Sequence, residues 1–259
     1  MSKTKFVYSL SDTRSFKLQV FNSLKSLSLF VKPKDIIVIV NPKSNSRGIR
    51  SLSRFCTVYQ GNPYYENLDL PPFRYKIEMC DIDADNIVFL DCDTIIMDDP
   101  KELIDGDFDV MGRQEPCMAY EGEKRPSWDQ EEWERQLKRF GKPTDSIAYN
   151  DGFIILKNGI HKKIKKDFIK YYKMYANGEL KSPNTTDDSH HNAFALSLAL
   201  AGYKAKHMNT HHHWYGWRAE NFTSSDKTYV LHIGTSKNDL QGYLYNLSRH
   251  HIGEFSVYA

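Results

Sequence analysis

The chain has 259 residues, 40% of them hydrophobic and 26% charged, and its 35 Lys+Arg nearly balance 33 Asp+Glu for a formal net charge of +2. That length can bury a full core, and the even charge, without a basic stripe, excludes a nucleic-acid binder held by phosphate contacts. Cys56, Cys80, Cys92 and Cys117 form no CxxC pair and no apolar run approaches about 18 residues, which excludes a zinc knuckle, a disulfide framework and a spanning helix, and points to a soluble, cytoplasmic protein.

Phe6-Val7-Tyr8-Ser9-Leu10 reads as a first strand. Phe16, Val20, Leu24, Leu27 and Val31 then recur at three- and four-residue steps, the stripe of an amphipathic helix ended by Pro33. Asp35–Val40 is a continuous apolar strand of the kind buried on both faces, so this opening predicts a parallel, right-handed strand–helix–strand unit. A third strand is expected near Thr57–Tyr59, a short helix over Phe73–Cys80, and a buried strand Ile87–Leu90. Thr94–Met97 reads as extended, followed by a helical turn at Asp98–Leu103 with a proline near its start.

Phe108–Met111 looks like another strand, and residues 113–127 like a loop, with Gly112, Gly122 and Gly141 as hinges of a mobile cover over 113–146. Ser127 and Gln130 have capping-box spacing ahead of a helix carrying Trp133, Leu137 and Phe140. Tyr149-Asn150-Asp151-Gly152 reads as a tight turn into the strand Phe153–Leu156. Residues 160–175 place Ile160, Ile164, Phe168 and Tyr171 on one helical face and lysines elsewhere; a solvated lysine face is the expectation, peripheral membrane contact the alternative. Asp187-Asp188 opens a helix over Ser189–Leu200, and Tyr229-Val230-Leu231 is a late strand delivering His232.

The motif that carries chemistry is Asp91-Cys92-Asp93, placed where Ile87–Leu90 ends. Residues i and i+2 of an extended segment point the same way, so the two carboxylates can share one cation while Cys92 faces the packing behind them. Carboxylates that close repel, and a hard divalent cation offsets the repulsion while keeping positions open for a diphosphate. Ligands of parallel sheets sit beyond the carboxyl ends of the strands, where Asp12 and Asp91 both fall.

These pieces, in order, resemble a GT-A glycosyltransferase of the retaining family 8 that includes glycogenin and bacterial galactosyltransferases. The likeness spans about residues 5–237 and rests on Ser11-Asp12 after the first strand, Phe73-Arg74-Tyr75-Lys76, Val88-Phe89-Leu90-Asp91-Cys92-Asp93-Thr94, Asn150-Asp151-Gly152, Asp187-Asp188 with Asn192, and His232-Ile233-Gly234-Thr235-Ser236-Lys237. It implies one α/β domain over 1–259, a Rossmann-like mixed sheet flanked by helices, with 238–259 as a C-terminal extension. It further implies that Asp91, Asp93 and His232 hold Mn2+, with Mg2+ as the alternative, and that the donor is a nucleotide sugar, UDP-linked. Carboxylates with one imidazole suit Mn2+ better than the all-oxygen shell of Mg2+.

The donor-binding set by resemblance is Leu10, Ser11, Asp12, Arg74 or Lys76, Asp91, Cys92, Asp93, Asp151, Gly152, Gly234 and Lys237, and the catalytic candidates are Asp187, Asp188 and Asn150. The chain departs from the family where Asp151 replaces a common Ser, Asp188 a common Gln, and the step from His232 to Gly234 is one residue short. The acceptor, whether glycan, lipid-linked or protein, is not readable. Bland readings stand beside these: Asp187-Asp188 as a helix cap, Asn150-Asp151-Gly152 as a plain turn, His211-His212-His213 as surface histidines, Trp214, Tyr215 and Trp217 as core aromatics. Two competing functions remain, a haloacid-dehalogenase-like phosphatase with Asp91 as nucleophile and a nucleotide-sugar-binding protein without turnover.

Overall fold

The computed structural model describes residues 3–10, 14–41, 47–61, 75–115, 128–183, 189–209, 212–215 and 227–232. In chain order its strands and helices are β1 (Thr4–Leu10), α1 (Arg14–Leu27), β2 (Ile36–Val40), α2 (Arg47–Leu52), β3 (Thr57–Gln60), α3 (Tyr75–Glu78), β4 (Asn86–Leu90), β5 (Thr94–Ile96), β6 (Val110–Gln114), α4 (Gln130–Arg139), β7 (Tyr149–Leu156), α5 (Ile160–Ala176), α6 (Ser189–Ala201), β8 (Ala205–His207), β9 (His213–Tyr215) and β10 (Val230–His232). Seven strands form one mixed, mostly parallel sheet in the order β3-β2-β1-β4-β7-β6-β8, and β5-β10-β9 form a second, small one. By compactness the chain divides into two units. One contains β1 from Lys5 on, β2, β3, β5, β9, β10, α1 and α2; the other contains α3, most of β4, β6, β7, β8, α4, α5 and α6.

In the first unit the predicted strand–helix–strand opening is present: β1 pairs with β2 in parallel, Phe6 opposite Ile36 and Leu10 opposite Val40, and β2 pairs in parallel with β3. All five residues of β2 are buried, as an uninterrupted Ile-Ile-Val-Ile-Val run covered on both faces requires. On α1 the stripe Val20, Leu24 and Leu27 is buried, and the helix lies against β5. The helix stops at Leu27, short of the expected Val31, which is nonetheless buried in the following turn.

In the second unit, α6 is apolar nearly all round and its residues His190 through Leu198 are all buried, the signature of an interior helix. It lies against α5, where Phe168 meets Phe194 at 5.3 Å between ring centroids. The stripe Ile160, Ile164, Phe168 and Tyr171 is buried as read from the sequence. Asn158 and Gly159, both left-handed at φ 55° and 69°, turn the chain from β7 into α5.

Two readings need correction. The cap of α4 is Asp129, whose carboxylate accepts from the Glu132 amide at 3.0 Å, and Asp129 with Glu132 has the same capping spacing as Ser127 with Gln130. Ser127 lies outside the described residues. Asn150-Asp151-Gly152 is not a turn: it belongs to β7, which runs from Tyr149 to Leu156. Of the expected cover, residues 116–127 lie outside the description, while α4 is anchored by Trp133, 1% exposed, whose indole donates to the Ser146 carbonyl at 2.9 Å.

Candidate metal centre and a buried charge cluster

In the first unit, Asp91, Asp93 and His232 come together, with one ligand atom from each lying within 4.8 Å of the others. His232 Nε2 is 3.1 Å from Asp93 Oδ1 and 3.7 Å from Asp91 Oδ2. Two ligands at right angles around an ion with bonds of about 2.1 Å lie about 3 Å apart, so the donor set and its spacing fit a divalent cation. Asp91 and Asp93 are partly exposed and His232 is buried, a cluster open on its carboxylate side.

The backbone that presents these groups is held from behind. The Thr94 hydroxyl donates to the Asp91 carbonyl at 2.7 Å and so closes the turn around Cys92. Having spent its proton there, Thr94 must accept from Ser23 at 2.9 Å, and Ser23 in turn from the Tyr8 hydroxyl at 2.9 Å. Burial pushes the Tyr8 phenol well above its ordinary range, so it remains a donor. The Cys92 thiol donates to the Ser9 carbonyl at 3.3 Å, facing the packing as expected. His232 arrives because β10 pairs antiparallel with β5, setting His232 directly opposite Thr94. That ladder is extended by the Met97 amide on the Tyr229 carbonyl at 2.8 Å and by the Tyr229 hydroxyl on Glu102 at 3.1 Å.

The second unit holds a different cluster. Lys76 Nζ lies 2.9 Å from Asp151 Oδ2, and His191 Nδ1 lies 2.8 Å from Asp151 Oδ1. The other ring nitrogen of His191 is 3.3 Å from Glu115 Oε1, the same oxygen that accepts from the Asn150 side-chain amide at 2.7 Å. All of these except Asn150 are buried. Burial opposes charge on Asp151, but Lys76 and His191 outweigh it and hold the carboxyl well below its usual range. Burial likewise opposes charge on His191, and the carboxylates of Asp151 and Glu115 reverse it, holding the imidazole well above its usual range. The neighbouring His190 meets burial and the repulsion of Lys76, and falls to about 3.

The residues singled out in the sequence are thus distributed as follows. Leu10, 1% exposed, ends β1; Asp91, Cys92, Asp93 and His232 form the metal cluster; Lys76, Asn150, Asp151 and Gly152 join the charge cluster. Ser11, Asp12, Arg74, Asp187, Asp188, Gly234 and Lys237 lie outside the described residues, as do the side chains of His213, Trp214 and Tyr215 and all of His211 and Trp217. Of the basic pair, Lys76 has its ammonium engaged by Asp151. Glu115 and His191 were missed; the available signal was an imidazole pair in the helix Ser189–Ala201, whose other residues apart from Ser189, Asn192 and Ser197 are apolar.

No protein-family model matches the sequence, and no curated protein matches it. Solved structures do. Galactosyltransferase LgtC, in complex with donor and acceptor sugar analogs, is 14% identical with a TM-score of 0.57 over 94% of this chain and 95% of its own. Glycosyltransferase GlyE of Streptococcus pneumoniae TIGR4 is 12% identical with a TM-score of 0.59 over 95% of this chain and 61% of its own. The fold is that of a GT-A glycosyltransferase. The bifunctional glycosyltransferase WbbM agrees, at 14% identity and a TM-score of 0.57 over 90% of this chain and 46% of its own. Within this GT-A fold Asp91 follows the fourth strand, whereas the phosphatase alternative needs its nucleophile after the first.

Proposed function

We propose that the protein is a metal-dependent glycosyltransferase that takes a nucleotide-diphosphate sugar, UDP-linked, and moves the sugar to a glycan, lipid-linked or protein acceptor with retention of configuration. The observation that carries this reading is the Asp91–Asp93–His232 cluster, a ligand set with ion spacing on a chain of GT-A fold. Mn2+ is the cation that one imidazole with two carboxylates favours. When bound, it would stabilise the charge developing on the departing diphosphate.

The chain's own groups account for the rest. Asp91 and Asp93 orient the diphosphate through their shared ligand position, with the turn locked by Thr94. Asn150, Asp187 and Asp188 keep their assignment as the catalytic candidates, an amide and two carboxylates of the kind that favours a transition state of oxocarbenium character. Ser11, Asp12, Arg74, Gly234 and Lys237 keep their assignment to the nucleotide and its phosphates. Scattered cysteines, three of them free and buried, suit a cytoplasmic location. Among the described residues no helix is long and apolar enough to cross a membrane.

A thermal-shift panel of UDP, GDP, CDP and TDP with and without Mn2+ tests the reading, because a ligand bound only by the folded state stabilises it by RT ln(1+[L]/Kd). UDP with Mn2+ should raise the midpoint, and Mn2+ with EDTA should not. Equal midpoints throughout, with no release of UDP from UDP-glucose or UDP-galactose, would overturn it.

A further inference from the structure

The segment Asn150–Gly152 lies where the β6–β7 ladder breaks step. Gly112 pairs with Ile154 but Gln114 with Tyr149, so Asn150–Phe153 bulges out of the antiparallel register. Such a bulge removes ladder hydrogen bonds and re-aims side chains, and something else must hold the segment. Here side chains do. Asn150 Oδ1 accepts from the Gly152 amide at 2.9 Å, and Asn150 Nδ2 donates to Glu115 at 2.7 Å. Glu115 Oε1 also lies 3.3 Å from His191 Nε2, a charge contact without hydrogen-bond geometry, and His191 Nδ1 faces Asp151 at 2.8 Å, so the Asn150–Asp151 peptide closes a ring through Glu115 and His191.

We propose that His191 and Glu115 are positioning residues that clamp the bulged Asn150–Gly152 segment in one conformation and so fix the direction of the Asn150 amide. The inference rests on the glycosyltransferase reading for the reaction that Asn150 serves, and on the ring alone for the clamp. The negative charges of Asp151 and Glu115 on either side of the ring favour the imidazolium form of His191, bonded to Asp151 through Nδ1 and facing Glu115 through Nε2. Among the described residues Lys76 and His191 face Asp151, and His191 also faces Glu115, while His190 is held neutral. Removing one partner from a buried charge pair such as Asp151–His191 is costly, because the other charge is left uncompensated. Among the described residues, half-buried Asn150 uses one amide hydrogen on Glu115 and one oxygen lone pair on the Gly152 amide.

The test is His191→Gln in the full chain, compared with the parent by 15N-resolved NMR and by hydrolysis of UDP-glucose and UDP-galactose with Mn2+. The Gly152 amide and Asn150 side-chain resonances should shift or broaden while dispersion elsewhere stays native. For whichever donor the parent hydrolyses, kcat should fall at least tenfold with KM within about threefold, a split that loss of stability alone would not produce. Glu115→Gln keeps volume and an acceptor oxygen; if His191→Gln does not fold, it should shift the same resonances and lower kcat at least threefold. Unchanged resonances, or unchanged kcat in a folded variant, overturn the proposal. A parent that binds no nucleoside diphosphate and hydrolyses neither donor would sink the glycosyltransferase reading and with it the part of Asn150 in that reaction, while the resonances still decide the clamp.

Discussion

Ser23 donates its hydroxyl proton to Thr94 at 2.9 Å, and both side chains are fully buried. That bond is the middle link of a one-way chain from Tyr8 through Ser23 and Thr94 to the carbonyl of Asp91. Thr94→Val should therefore cost more than Tyr8→Phe, because it strands both the Ser23 donor and the Asp91 acceptor. The expected losses are about 1–3 kcal/mol for Thr94→Val and about 0.5–1.5 kcal/mol for Tyr8→Phe. Denaturant titration checks the order, and equal losses would refute the direction of the chain.

Asp91→Asn or Asp93→Asn should abolish Mn2+-dependent UDP binding while leaving the thermal midpoint of the metal-free protein within a few degrees. The motif is held by β4 burial and the Thr94 bond, which the substitutions leave in place. His232→Ala should weaken Mn2+ affinity by a factor on the order of 10 or more, since a ligand is lost from a set of three protein groups. Isothermal titration of the metal alone reads both effects; parent-like Mn2+ affinity in the His232 variant would make that histidine structural.

Stability should peak near pH 6.5 on account of two adjacent histidines with opposite shifts. His191 is raised, so its contribution is complete below about pH 6.5 and is lost as pH rises through its folded value. His190 is lowered to about 3, so the unfolded chain takes up its proton first and stability falls as pH drops from 6.5 toward 3. His161, lowered by burial, adds to the same acid limb, and Asp151, held low, adds a further loss only below about pH 3.8. Each unit of separation is worth about 1.36 kcal/mol before relaxation. Urea unfolding from pH 4 to 9 should show His191→Gln flattening the alkaline limb and His190→Gln the acid one.

Asp129→Ala should destabilise the protein by about 1 kcal/mol, the ordinary worth of an N-cap, because the Glu132 amide loses its acceptor at the start of α4. Asp129→Asn, which keeps a capping oxygen, should cost less than half of that by thermal denaturation.

The opening strands and the metal motif were readable because their determinants are local. Ile36–Val40 can only be an interior strand, and Asp91 and Asp93 follow an apolar run that must end at a sheet edge. His232 was readable from the short strand before it, although its pairing with β5 in a separate small sheet was not, since register with Thr94 depends on a partner far away in sequence. Asn150-Asp151-Gly152 misled because its composition favours a turn. What makes it a bulged strand is buried charge supplied by Lys76, Glu115 and His191, none of them within 30 positions, and no local pattern announces such a match. The α4 cap failed for a smaller reason: two capping patterns overlap within six residues, and only geometry ranks Asp129 above Ser127.

The pairing of β10 with β5 also sets a timetable. During synthesis the two carboxylates leave the ribosome with β4 and β5, but the imidazole that completes their cluster is not yet made. At about 5–20 residues per second the interval between residue 93 and residue 232 is about 7 to 28 seconds. Throughout it the nascent chain carries an acidic pair with no histidine beside it. The Asp91–Asp93–His232 cluster is thus a late-maturing feature, and its assembly reports that the last strand of the small sheet has docked.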